Sequence, residues 1–136
     1  MPAKRIFLGL DVGDRRVGIA LADSDVKIAV PFGFLERDEH TIQKITEMML
    51  QHQVDVVVVG YPRNQSGEPT KQTEATEAFA HELGEVDIDA ELVFQDESLS
   101  SVEAERRLGR VKEKGEIDAE AASIILQDYL EERYAY

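Results

Sequence analysis

The stretch Ile6-Phe-Leu-Gly-Leu-Asp-Val12, continued by Gly13-Asp-Arg15 and Arg16-Val-Gly-Ile-Ala-Leu-Ala22, decides the fold. Two apolar runs are joined by a short segment of turn-forming residues, which predicts a β-hairpin. Lys27 to Leu35, rich in Val, Ile and Phe, reads as a third strand, with Ser24-Asp25 as the turn before it. Three consecutive strands with short links predict an antiparallel meander.

Downstream the apolar period changes. Asp38 reads as a helix N-cap, and Ile42, Ile45 and Met49 mark one helical face through about Gln53. Asp55-Val-Val-Val-Val-Gly60 is the β-branched run expected of a strand buried on both faces. After the polar loop Tyr61 to Pro69, a helix is predicted from Thr70 to Leu83, with Ala75, Ala78 and Phe79 inward and Gly84 as its stop. Ala90 to Phe94 is a short strand, the capping box Ser100-Ser-Val-Glu103 opens a helix ending near Gly109, and a last helix covers about Ile117 to Glu132. A meander followed by alternating βα units predicts a mixed five-stranded sheet with helices on both faces.

The 136 residues suit one domain, 1–136, and 43% apolar residues suffice for its core. Asp and Glu number 28 against 15 Lys and Arg, a net charge of −13, whose field by itself repels polyanions and anionic membranes. The excess is uneven: residues 36–98 hold four bases and fifteen acids, whereas Arg106 to Lys114 holds five bases and one acid. Without cysteine there is no disulfide, thiolate metal site or cysteine nucleophile, and His40, His52 and His81 lack metal-ligand spacing. No segment has the length and apolarity of a membrane span, and Met1-Pro-Ala-Lys-Arg5 runs into a strand without a signal core, so a cytoplasmic protein is expected.

Asp11 lies inside an apolar strand, where an ionised carboxylate is costly unless it is paired or binds a cation. A strand-end Asp bonded to the hairpin turn is the plainer alternative. Gly13 and Gly18 would let a ligand approach the backbone closely. Asp96-Glu97 follows the strand at Phe94, at the strand end where ligands of open α/β sheets bind, unless these are merely solvated loop acids. Asp118 opens the last helix and shares the stripe of Ala121, Ala122 and Ile125, although a capping role would also account for it. Carboxylates without histidine or cysteine suit Mg²⁺ or Mn²⁺. Two such ions about 4 Å apart would serve phosphodiester cleavage.

The segment Leu8 to Ala20, the loop Val59-Gly-Tyr-Pro-Arg-Asn-Gln-Ser-Gly67, the block Asp96-Glu-Ser-Leu-Ser-Ser-Val-Glu-Ala-Glu105 and the ending Asp118-Ala-Glu-Ala-Ala-Ser-Ile-Ile-Leu126 resemble the YqgF/RuvX family. This bacterial group has a ribonuclease H-like three-layer fold. Its members are regarded as Holliday junction resolvases and as nucleases maturing the 5′ end of pre-16S rRNA. The resemblance implies that Asp11, Glu97 and Asp118 are the catalytic, metal-binding acids, with Asp96 in support. Two departures stand out: Ser98 replaces the Arg that follows the Asp-Glu pair in the family, and the connection Gly109 to Glu116 is short and carries Glu113 and Glu116.

Phosphate contacts are expected from Arg15 and Arg16 on the hairpin, Arg63 and Asn64 on the polar loop, and Arg106, Arg107, Arg110, Lys112 and Lys114, unless the last group is a solvated face paired with Glu103 and Glu105. The reading is therefore a metal-dependent nuclease acting on pre-rRNA or branched DNA, as a monomer or a homodimer. A non-catalytic binding protein on the same fold is the rival. The phosphate hairpin of actin-like kinases is a more distant likeness, because those enzymes close two such domains on a nucleotide. The acidity adds an expectation of weak, salt-sensitive, metal-dependent binding on one face and of a protein partner that delivers the substrate.

Overall fold

In the computed structural model, which describes residues 4–62, 70–86, 88–97, 106 and 114–134, the hairpin is the middle of a five-stranded sheet. Strands β1 (Ile6–Val12), β2 (Arg16–Asp23) and β3 (Val30–Glu36) form the antiparallel meander. Helix α1 (Thr41–His52), strand β4 (Val56–Pro62), helix α2 (Lys71–Gly84), strand β5 (Glu91–Glu97) and a long helix, here α3 (Lys114–Arg133), complete the described elements. Strand order is β3-β2-β1-β4-β5, with β4 parallel to both β1 and β5. The mixed five-stranded sheet is thus the one expected.

The alternation of side chains across the sheet assigns each layer. Leu8, Leu10, Val17, Ile19, Val57 and Val59 share a core with Ile45 and Met49 of α1 and Phe79 and Leu83 of α2. Phe7, Ala20, Val56 and Val58 pack on the opposite side against Ala122, Ile125, Leu126 and Leu130 of α3. The four consecutive valines of β4 therefore serve both cores, and each removes about 1.5–3 kcal/mol worth of apolar surface from water. Glycine sets the spacing of α3. A Cβ at Gly9 would lie 2.8 Å from the Leu126 Cβ, and one at Gly115 would lie 2.2 Å from the Phe34 ring.

Several boundaries differ from the sequence reading. Strand β3 starts at Val30 rather than Lys27, because the Asp23 carboxylate accepts from the Asp25 and Val26 amides at 3.0 and 2.8 Å and Lys27 turns left-handed with φ 60°. Asp38 is not the cap of α1: its carboxylate turns back to the His40 amide at 2.7 Å, and the helix begins at Thr41. On α2 the buried stripe is Thr73, Thr76, Phe79, Ala80 and Leu83, while Ala78 is exposed and Ala75 half-buried. Gly84 is the last helical residue, and the C-cap is Glu85. Strand β5 runs on to Glu97, so Asp96 and Glu97 are paired with Tyr61 and Pro62 instead of following the strand. Helix α3 already includes Lys114, inside the segment read as a connection. The helix expected from Ser100 to Gly109 lies outside the described residues, except for Arg106, which is helical.

Candidate active site

Strands β1, β4 and β5 point the same way, so their C-terminal ends form one rim of the sheet together with the β1–β2 hairpin. The hairpin is closed by the Gly13 amide donating to the Arg16 carbonyl at 2.9 Å. Asp11 is half-buried on β1 directly opposite Gly18 on β2. Directly opposed residues of an antiparallel pair share a face, and alternation from Phe7 and Gly9 assigns that face to α3.

Gly18 is where α3 touches the sheet. A Cβ there would sit 1.9 Å from the Asp118 carbonyl oxygen and 2.3 Å from its carbon. Only a residue without a side chain lets the helix backbone lie on β2 at this point. Because opposed Cβ positions in such a pair are about 4.5–5.5 Å apart, Asp11 stands roughly one side chain from the turn carrying Asp118. The Asp118 carboxylate is held from the same strand: Arg16 Nε donates to Asp118 Oδ2 at 2.6 Å, with the two side chains only 21% and 25% exposed. Asp118 is thus inside α3, with Lys114 to Ile117 helical before it, and an ion-pair partner rather than an N-cap.

On β5, positions 93, 95 and 97 share one parity, and Val93 packs on the α3 side. Gln95 is buried at 7% exposure and Asp96 is exposed. Asp96 has the parity of Leu92, which packs with α1 and α2, and so belongs to the opposite side from Asp11. The Glu97 side chain lies outside the described residues, as do Arg63, Asn64, Arg107, Arg110, Lys112 and Ser98. Arg15, Arg106 and Lys114 are exposed. Asp11 and Asp118 are hard oxygen donors that fit Mg²⁺ or Mn²⁺ rather than a soft metal. Among the described residues no three acids or histidines are grouped closely enough to hold an ion on their own.

Three further polar residues lie at this rim, and two of them, Arg37 and Gln72, carry no local signal. Arg37 donates from Nη1 to the Gly13 carbonyl at 3.0 Å and lies 5.2 Å from the Phe79 ring centroid. Gln72 donates from Nε2 to the Val12 carbonyl at 2.8 Å, tying α2 to the hairpin base. Gln95 could have been found by the criterion that singles out Asp11, a polar residue within an apolar strand.

The family model described as RuvX, Holliday junction resolvase, matches residues 5–132. The chain belongs to the RuvX family. It is 40% identical over 136 residues to a protein of Chloroflexus aurantiacus named "Putative pre-16S rRNA nuclease", covering 95% of this chain and 88% of that protein. A protein of the same name from Chlamydia felis is 38% identical over 142 residues, covering 95% and 92%. Among solved structures, Thermus thermophilus RuvC in complex with a Holliday junction substrate aligns at TM-score 0.53 and 13% identity over 96% of both chains. The fowlpox virus resolvase with Holliday junction DNA aligns at TM-score 0.60 and 10% identity, over 94% of this chain and 98% of that one. At such identities these two speak for the fold, which is the ribonuclease H-like fold of resolvases. As a RuvX protein the chain is a nuclease, a hydrolase of phosphodiester bonds. No helix among the described residues is long and apolar enough to cross a membrane.

Proposed function

We propose that this RuvX protein is a divalent-cation-dependent endonuclease that trims the 5′ end of pre-16S rRNA, with Asp11, Glu97 and Asp118 as its cation-holding acids. The observation that carries the reading is the convergence of Asp11, from within β1, and Asp118, from α3, on one rim through the contact at Gly18. Asp96 belongs to the side of the sheet opposite Asp11, which leaves Glu97, the acid that the resemblance implies, as the third. When bound, Mg²⁺ or Mn²⁺ would activate the attacking water and stabilise the leaving oxygen.

The chain's own groups supply position and charge. Asp11 and Asp118 present oxygen donors from two rigid elements, which fixes their separation better than loops would. Arg15 on the hairpin, Lys114 at the start of α3, and Arg63, Asn64, Arg106, Arg107, Arg110 and Lys112 are the donors for phosphates on either side of the cut. Gly13 leaves the hairpin tip without a side chain, whereas the space over Gly18, expected from the sequence to admit a ligand, is filled by the backbone of α3. The fifteen acids of residues 36–98 repel nucleic acid from the rest of the surface, which favours delivery of the substrate by a protein partner.

The names of the sequence relatives favour RNA. Four-way DNA junctions are the second reading, favoured by the family's description and by the resolvase fold. The test incubates wild type and Asp11→Asn with a pre-16S 5′ fragment and, separately, with a four-way junction, in Mn²⁺. Cleavage of the RNA by wild type and at least a 1000-fold loss in the variant are expected. Cleavage of the junction alone would select the second reading, and equal rates for the two proteins would refute the proposed site.

A further inference from the structure

Arg16 and Asp118 are 102 residues apart in sequence, yet form the shortest and most shielded ion pair among those described. Arg5–Glu91, at 3.6 Å with side chains 42% and 61% exposed, is a surface pair by comparison. We infer that Arg16 is a positioning residue for Asp118, acting on the reaction through that carboxylate instead of gripping a substrate phosphate. The inference rests on the reading of Asp118 as a cation ligand.

The geometry gives three reasons. First, Arg16, Gly18 and Ala20 share the α3 side of β2, so a single strand holds residue 118 twice, at its backbone through Gly18 and at its carboxylate through Arg16. That double hold fixes the side-chain rotamer, which packing alone does not do for a partly exposed Asp. Second, the bond is donated by Nε to Oδ2 alone. A charge-assisted bond to one oxygen orients the group and leaves Oδ1 available as a donor to a cation. The guanidinium charge also offsets the repulsion between Asp118 and Asp11 on the same rim. Third, Arg16 is turned inward while its neighbour Arg15 is exposed on the hairpin. Of the two arginines, Arg15 is the one placed to meet a phosphate.

Lysine is a poor substitute in this role, because a point ammonium lacks the directed Nε–H that engages Oδ2. The experiment titrates Mn²⁺ into the full-length wild type, Arg16→Gln, Arg16→Lys and Asp118→Asn, following free Mn²⁺ by electron paramagnetic resonance. RNA binding in EDTA and steady-state cleavage are measured on the same preparations.

Loss of an outer partner of a metal ligand costs about 10- to 100-fold in affinity or activity. Arg16→Gln is therefore expected to weaken Mn²⁺ binding about tenfold or more and to lower kcat, with KM and RNA binding in EDTA changed less than twofold. Arg16→Lys should fall between it and wild type. Unchanged Mn²⁺ affinity in Arg16→Gln, with weaker RNA binding in EDTA, would overturn the inference and return Arg16 to the phosphate contacts. If Arg16→Gln does not fold, the same pattern in Arg16→Lys decides. Asp118→Asn separates the two claims. When it abolishes the Mn²⁺ site and the Arg16 variants do not weaken it, only the role of Arg16 fails. When it leaves Mn²⁺ binding intact, the cation site itself fails, and the role of Arg16 with it.

Discussion

Replacing Gly18 by Ala is the most incisive perturbation of this architecture, because it acts on the contact that seats α3 without substituting any charged residue. The new Cβ would stand 1.9 Å from the Asp118 carbonyl oxygen. A comfortable C···O approach is about 3.3 Å, so the helix backbone must retreat by about 1.4 Å. Neither partner is the end of a flexible side chain, and the strand is held on both sides by β1 and β3. Overpacking of this kind costs about 1–3 kcal/mol, and a backbone-to-backbone collision belongs at the upper end. For a chain of this length each kcal/mol lowers Tm by about 3–5 °C, so a drop of about 10 °C is expected. The retreat also carries Asp118 away from Arg16 and Asp11. A displacement of about 1 Å at a reacting centre costs roughly 100-fold, so kcat should fall by about that factor well below the melting temperature. Thermal melting by circular dichroism and cleavage at 25 °C measure the two effects. Gly33→Ala is the control, since nothing lies within 4 Å of its Cβ position, and its Tm should match wild type. A Gly18→Ala protein melting within 2 °C of wild type and cleaving at the wild-type rate would refute the seating argument.

The other glycine contacts grade the same effect. Gly9→Ala meets the Leu126 Cβ at 2.8 Å and the Ala122 carbonyl at 3.1 Å, so a smaller loss of about 1–2 kcal/mol is expected, read as a Tm drop without a specific loss of kcat. Gly115→Ala meets first the Phe34 ring, a 39% exposed side chain rather than backbone; its cost should be about 1 kcal/mol or less in chemical denaturation. RNA binding in EDTA should fall with salt. If about three basic groups contact phosphate, the slope of log K against log salt is about −2, and a slope near zero would argue against the predicted basic contacts.

How far the sequence was legible depended on the range of the interaction. The β1–β2 hairpin could be read because its turn residues are adjacent, and Asp11 stood out because a carboxylate interrupts an apolar run. Arg16 could not be assigned to Asp118, since nothing local links residues 102 apart. Its place beside Arg15 suggested a phosphate contact instead. Asp118 read as the start of a helix because Lys114-Gly115-Glu116 lacks an N-cap residue and contains a glycine. In the fold that glycine belongs to the helix, where the Phe34 ring rests against it. On α2 the apolar rule selected Ala75 and Ala78 and missed Thr73 and Thr76. Both threonines are buried because their hydroxyls are satisfied, donating to the carbonyls of Pro62 and Gln72 at 2.9 Å each. The extent of β5 was underestimated because Gln95-Asp-Glu97 looks like a loop, whereas pairing with β4 continues through Pro62.

The central claim is that Asp11 and Asp118, joined by Glu97, hold a divalent cation at the rim where β1 meets α3. A crystal soaked in Mn²⁺, with diffraction recorded at a wavelength where manganese scatters anomalously, tests it directly. The account predicts an anomalous peak about 2.0–2.5 Å from carboxylate oxygens of both Asp11 and Asp118. A fully occupied Mn²⁺ peak elsewhere on the chain, with none between these two carboxylates, would contradict it.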